Sequence, residues 1–301
     1  MTIKLITYPE NQNKKLWMAA MKPPMYSVAI MPIWVGSMVA YAETKVFQSL
    51  TFSVFLGSAI LILIWENFSN DVFDAETGID ENKHHSLVNI TGNKSLIYWL
   101  GNLSLFLGLL GILMITWWQQ DLTVMVMILL CCCLGYVYQG PPFRLGYQGL
   151  GEILCFFAFG PLAVSAAYYS QVQSFSVGSL VASIIVGIAT SLILFCSHFH
   201  QVEDDLAAGK YSPIVRLGTA RGSQVLILAT ISIYVLSLMF VVLGYFPIWT
   251  LLSWVSVPFA VKLCRHVQQY HQQPDRVSNS KFIAVAVHFW CCLLFGLGFV
   301  V

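Results

Sequence analysis

Long apolar blocks alternate with short polar breaks along this chain. A block that crosses a bilayer as a helix needs roughly 20 apolar residues. The stretches of that kind are 24–42, 47–67, 95–118, 123–139, 150–169, 176–199, 223–243, 247–265 and 281–300. All are expected to be helices, because a span in lipid has to satisfy its own backbone. The expected fold class is therefore all-α: a polytopic membrane protein of nine transmembrane helices. The breaks are of two kinds. Segments 43–46, 119–122, 170–175 and 244–246 are short and nearly uncharged, whereas 68–94, 140–149, 200–222 and 266–280 are longer and polar.

Composition agrees with this pattern. The chain has 301 residues, 57% hydrophobic and only 10% charged, against about 25% charged in a soluble domain. Mean hydropathy is +0.73. A net charge of +1 gives no electrostatic case for nucleic acid. The eight Cys fall inside apolar blocks, without metal-ligand spacing, and read as packing residues. Of the 15 Lys and Arg, all but Lys45 lie on the N-terminal side of the expected spans. That asymmetry marks the N-terminal face as cytoplasmic. Residues 1–23 then form a cytoplasmic segment ahead of a nine-helix domain over 24–301, whose C-terminus lies outside. No span carries a charge near its middle, which argues against a proton relay or a voltage sensor. Any chemistry is expected at the cytoplasmic ends.

There the sequence is distinctive. "WENFSNDVFDAETGID", residues 65–80, gathers carboxylates where the second span ends, and "CSHFHQVEDDLAAGKYSPIVRLG", 196–218, does so after the sixth. Asp74 to Gly78 and Asp205 to Gly209 share the pattern D-x-x-x-G, and each is followed by a lysine, Lys83 and Lys210. Asn70 and Asp74 are spaced to share a helix face, with Asp71 beside them. Oxygen ligands at this spacing suit Mg²⁺, which takes one or two protein carboxylates and binds substrate phosphate. Two such loops facing each other would hold a Mg²⁺-bridged diphosphate, with Lys83, Lys210 and Arg216 neutralising the remaining charge. The plainer reading, a solvated cap at a membrane helix end, explains one such loop better than a matched pair.

"NDVFDAETGID" resembles the N-D-x-x-D-x-x-x-G-x-D signature of the 1,4-dihydroxy-2-naphthoate prenyltransferases, within the UbiA superfamily of membrane prenyltransferases. "YQGPPFRLGYQGLGEILCFFAFGPL", residues 138–162, is similar to that branch's loop between the fourth and fifth spans. "DDLAAGKYSPIVRLG" is similar to its second aspartate loop, and "MKPPMYSVAIMPIWVGSMVAY" to its opening helix. The resemblance implies nine helices around a cavity open to the cytoplasm. It assigns metal-binding places to Asn70, Asp74 and Asp80, with Asp71 adjoining, and to Asp205. The sequence departs at Gln201, where the family carries an aspartate; Glu203 or Asp204 stands near enough to compensate. "SHFH" replaces the family's Asn-Arg pair and resembles the cyanobacterial and plastid branch, whose prenyl donor is phytyl diphosphate.

The implied reaction is Mg²⁺-assisted ionisation of an allylic diphosphate, attack by the naphthoate ring and loss of its carboxylate as CO₂ in quinone biosynthesis. Tyr136, Tyr138, Phe143 and Tyr147 are candidates to face the cation-like prenyl fragment, although for Tyr147 the membrane-interface reading is the better one. Arg144 suits either the diphosphate, the acceptor carboxylate or the positive-inside bias. Glu152 follows a helix start, where a carboxylate favours the dipole. His198 and Gln201 share a helical face with Asp205 and join Tyr138, Tyr147 and Glu152 as candidates for the substrate cavity. The partners implied are the two substrates and the lipid bilayer, in a plasma or thylakoid membrane. Chlorophyll synthase and homogentisate prenyltransferases are the nearest alternatives, and a transporter the more distant one.

Overall fold

The computed structural model describes residues 17–18, 20–79 and 86–301. Among them every regular element is helical. Seven helices are long and apolar enough to cross a membrane: Pro23–Thr44, Ser49–Thr77, Lys94–Gln119, Gly151–Val172, Val177–His200, Thr219–Val242 and Pro274–Leu297. Two of the expected spans fall outside this set. Thr123–Gln139 is apolar but only 17 residues long. The stretch expected at 247–265 starts as a 3₁₀ segment, Ile248–Ser256, and becomes α-helical over Val257–Tyr270. That second half carries Lys262, Arg265 and His266, so its apolar length is short. Pro258 sits in its first turn, where a missing N–H leaves no bond unmade.

Local chemistry shapes two further elements. The span expected at 150–169 is α-helical over Gly151–Phe157, makes one π turn over Ala158–Leu162, and is α-helical again over Ala163–Val172. Pro161 donates no N–H inside that turn, and the wider winding accommodates it. The second helix runs unbroken for 29 residues from Ser49 to Thr77. It therefore carries the first acidic motif into the end of the bundle as an extension of a span.

Ser49–Thr77 packs along Lys94–Gln119, Ser27–Thr44 against Ala163–Val172, and Ser280–Leu297 against Val177–Ser197 and Ser27–Thr44. Two large buried clusters result. One gathers Phe55, Trp65, Ile112, Val124 and Ile128; the other gathers Val35, Ile185, Leu226, Leu263 and Phe295. The first long helix gives Ile33 to one and Val35 to the other, so it wedges between two halves. Leu103, Phe106, Leu110 and Leu113 stay exposed on Lys94–Gln119, as expected of a face turned to lipid. Exposed Trp99 and Trp117 mark the two ends of that face. At 1.5 Å of rise per residue they lie about 27 Å apart along the axis, which matches the spacing of aromatic belts across a hydrocarbon core of about 30 Å.

Between the halves lies a cavity of about 240 Å³. Its walls are mostly apolar, from residues such as Phe55, Leu63, Ile128, Phe159 and Leu194. Polar groups line it too: Glu66, Asn67, Asn70, Tyr138, Ser197 and Lys281. The sequence grouped Glu66 with the loop acids, but it lies well inside the helix Ser49–Thr77 and faces the cavity.

Candidate active site

The two D-x-x-x-G repeats end their helices alike. Asp74 stands in the last turn of Ser49–Thr77, which Gly78 closes at φ 76°. Asp205 stands in Val202–Ala207, and Gly209 follows at φ 70°. Side chains with a Cβ avoid this left-handed region, which accounts for a glycine four residues after each acid. Both acids are buried, Asp74 with 9% and Asp205 with 0% of its surface exposed.

Tyr147 joins the two loops. Its hydroxyl lies 2.7 Å from Thr77 Oγ1, which is itself 3.1 Å from the Asp74 carbonyl oxygen. Either hydroxyl can supply the proton of the Tyr147–Thr77 bond. On the other side the Tyr147 carbonyl accepts the Tyr211 N–H at 2.8 Å. Lys210 Nζ lies 5.9 Å and the Arg144 guanidinium 6.0 Å from the Tyr147 ring centre. Burial pushes the Tyr147 phenol above its ordinary range, opposed by the Thr77 hydrogen bond and Arg144 and reinforced by Asp74 and Asp205. It stays protonated and keeps the bridge. The two readings open for this residue in the sequence are thus joined by a third, a tie between the acidic loops.

The cations divide by role. Lys210 is buried, 3.3 Å from Asp205 Oδ1. Arg144 has a left-handed backbone and approaches Glu76 at 3.9 Å. Arg216 donates Nε to the Tyr211 carbonyl at 3.1 Å and Nη2 to the Gln148 carbonyl at 3.0 Å. Its guanidinium thus staples loop to loop. Lys83 and Asp80 lie outside the described residues.

The remaining sequence candidates are distributed as follows. Asn70 and Tyr138 line the cavity. Asp71 anchors the neighbouring turn: Oδ2 accepts the Leu87 N–H at 2.8 Å, and Lys22 Nζ is 3.7 Å from Oδ1. Asp204 is exposed while Asp205 is buried, since adjacent helical positions point about 100° apart. His198 is buried and its Nδ1 lies 2.9 Å from Glu152 Oε1, which ties the start of Gly151–Phe157 to the end of Val177–Ser197. The shared face expected for His198, Gln201 and Asp205 does not form. Residues 198–200 make a 3₁₀ turn, and Gln201 leaves helical geometry at φ −108°. Gln201 instead caps the acidic helix through its backbone, its carbonyl accepting the Asp205 N–H at 2.7 Å. Sequence reasoning missed Thr77 and Glu66. The spacing 66, 70, 74 along one helical stripe was the available signal for the latter.

The donors suit a magnesium ion. Among the described residues neither Asp205 oxygen accepts a hydrogen bond despite complete burial, and Lys210 Nζ is its charged neighbour at 3.3 Å, so the carboxylate keeps acceptor capacity for a further ligand. Among the described residues no group of three or more His, Cys, Asp or Glu side chains forms a metal cage. Mg²⁺ does not need one: it takes one or two carboxylates and completes its shell with water and phosphate oxygens.

Residues 29–293 match the model of the UbiA prenyltransferase family. The chain is 57% identical to the 2-carboxy-1,4-naphthoquinone phytyltransferase of Synechocystis sp., across 95% of this chain and 94% of that one. It is 40% identical to the chloroplastic enzyme of the same name from Arabidopsis thaliana, across 99% of this chain and 80% of the other. In fold it resembles a UbiA homolog from Archaeoglobus fulgidus solved bound to GPP and Mg²⁺, with a TM-score of 0.57 at 13% identity over 93% of this chain and 99% of that one.

Proposed function

The chain belongs to the UbiA prenyltransferase family, and from that premise we propose that it transfers a phytyl group from phytyl diphosphate to 1,4-dihydroxy-2-naphthoate, with loss of the acceptor's carboxylate. The observation that carries this reading is the 57% identity to the Synechocystis phytyltransferase over nearly the whole chain. The bundle then has nine spans, with Thr123–Gln139 and Ile248–Tyr270 completing the set, and the acidic loops face the cytoplasm.

Asp74, Asn70 and Asp205 would hold Mg²⁺. When bound, the ion draws off charge developing on the departing diphosphate. Lys210 and Arg144 stand on the same loops and neutralise the remaining phosphate charge. Tyr147 keeps the loops in register, so that groups from distant parts of the chain meet one diphosphate. Tyr138 forms part of the cavity wall and offers an aromatic face toward the prenyl fragment. The largely apolar cavity excludes water that would otherwise capture the allylic cation. Glu152 and His198 act through position, because their mutual bond fixes the helix start whose Gly151 lies against the Tyr138 ring.

The test is purified protein in nanodiscs with the naphthoate acceptor and a panel of prenyl diphosphates, with and without a Mg²⁺ chelator. The expected outcome is pyrophosphate release that needs acceptor and Mg²⁺ together and is fastest with the phytyl donor. Transfer that prefers another ring acceptor, such as a chlorophyllide or homogentisate, would displace the naphthoate assignment.

A further inference from the structure

The cavity contains a carboxylate that the diphosphate chemistry does not use. Glu66 lies one helical turn below Asn70 and two below Asp74 on the same stripe of Ser49–Thr77. At 1.5 Å per residue this places it about 6 Å and 12 Å along the axis from those positions. It lines the cavity together with Asn67 and Asn70. Among the described residues it has no hydrogen bond and no ion pair.

The opposite wall makes room for it. A Cβ on Gly135 would collide with Glu66 Oε2 and lie 3.1 Å from its Cδ. The neighbouring helix Thr123–Gln139 thus has a glycine where the carboxylate lies. Tyr138 and Cys155 are within electrostatic range of both Glu66 and Glu152. These two acids nevertheless differ. Glu152 is committed to His198 and is not part of the cavity lining, whereas Glu66 is.

A carboxylate facing a mostly apolar cavity is stabilised by a ligand that supplies hydrogen bonds. The prenyl tail has no group to offer. A dihydroxylated ring does. We propose that Glu66 accepts a hydrogen bond from a ring hydroxyl of the aromatic acceptor, and so positions the ring beside the diphosphate carbon and selects for hydroxylated acceptors. This rests on the naphthoate reading above and deepens it. Placement fits the order of parts: the diphosphate at the Asp74 end, the ring a turn or two deeper, and the tail among the apolar walls. Hydrogen bonding to the carboxylate also increases electron density on the ring oxygen, which makes the attacking carbon more nucleophilic.

Steady-state kinetics of full-length wild type, Glu66→Gln and Glu66→Leu test this, with kcat/KM measured separately for donor and acceptor. Acceptors are the dihydroxynaphthoate and its two monomethyl ethers. Glu66→Leu is expected to lower kcat/KM for the acceptor by about tenfold or more, the scale of a lost hydrogen bond to a charged group. Its KM for the donor and its Mg²⁺ dependence should stay within about twofold of wild type. Wild type should discriminate against one of the ethers, and Glu66→Leu should lose that discrimination. Glu66→Gln, nearly isosteric, should fall between the two and decides the matter if the leucine variant does not fold. An acceptor kcat/KM unchanged in Glu66→Gln, or donor and acceptor lost together in both variants, would overturn the inference while leaving the transferase intact. Wild type inactive on every naphthoate acceptor would instead remove the naphthoate reading, and this inference with it.

Discussion

Asp205 is fully buried and its oxygens accept no hydrogen bond from the described residues, with Lys210 at 3.3 Å as its charged neighbour. With one cation on one side, such a buried carboxylate keeps lone pairs for a second cation. Asp205→Asn keeps the shape and removes the charge. It is expected to cut turnover by about 10²–10³, as for loss of one charge-stabilising contact, while the protein stays folded and monodisperse. Raising Mg²⁺ should recover part of the loss. Activity within a few-fold of wild type at low Mg²⁺ would remove Asp205 from the site. At this scale the sequence was legible where spacing encodes geometry, as at Gly78 and Gly209, the left-handed glycines four residues after Asp74 and Asp205. It was not legible where the helix breaks. His198 and Gln201 share a face with Asp205 only if residues 198–205 are one helix; the 3₁₀ turn sends His198 to Glu152 and leaves Gln201 as a backbone cap. Nor does spacing show that a neighbouring glycine makes space for Glu66.

At the scale of elements, the working unit is three loops held together. The acidic ends of Ser49–Thr77 and Val202–Ala207 are joined through the segment between Thr123–Gln139 and Gly151–Phe157, and Tyr147 is the joint. Tyr147→Phe removes the bond to Thr77 but keeps the ring near Lys210 and Arg144 and the backbone bond to Tyr211. It should cost about 0.5–1.5 kcal/mol of stability and only a few-fold in rate. Tyr147→Ala also removes the ring, so turnover should fall further and the KM for diphosphate donor should rise. Equal kinetics for the two variants would show that the ring has no part in holding the cations. The repeated D-x-x-x-G was readable as one device used twice, because a buried acid and a left-handed glycine are both demanding local requirements. The π turn at Pro161 and the 3₁₀ start at Ile248 were not, since apolar blocks look alike whatever their winding.

For the whole molecule, apolar blocks predicted the helical class and the order of elements, because lipid leaves a lone span few alternatives. Their number is harder to read: Thr123–Gln139 is short, and Val257–Tyr270 takes on charge before it ends. The distribution of Lys and Arg leads to an expected orientation. A cysteine at exposed Glu203, in a background lacking other reactive thiols, should react with an impermeant reagent only after cells are broken. Reaction in intact cells would invert the topology and put the acidic loops outside. The account as a whole claims that this bundle joins two substrates and expels carbon dioxide. The most direct measurement uses naphthoate acceptor labelled at its carboxyl carbon, purified wild-type protein, Mg²⁺ and phytyl diphosphate, following product mass and label together. The account predicts one label lost for each phytylated naphthoquinol formed, with no loss when donor or Mg²⁺ is left out. A phytylated product that keeps its label, or label lost without the donor, would contradict it.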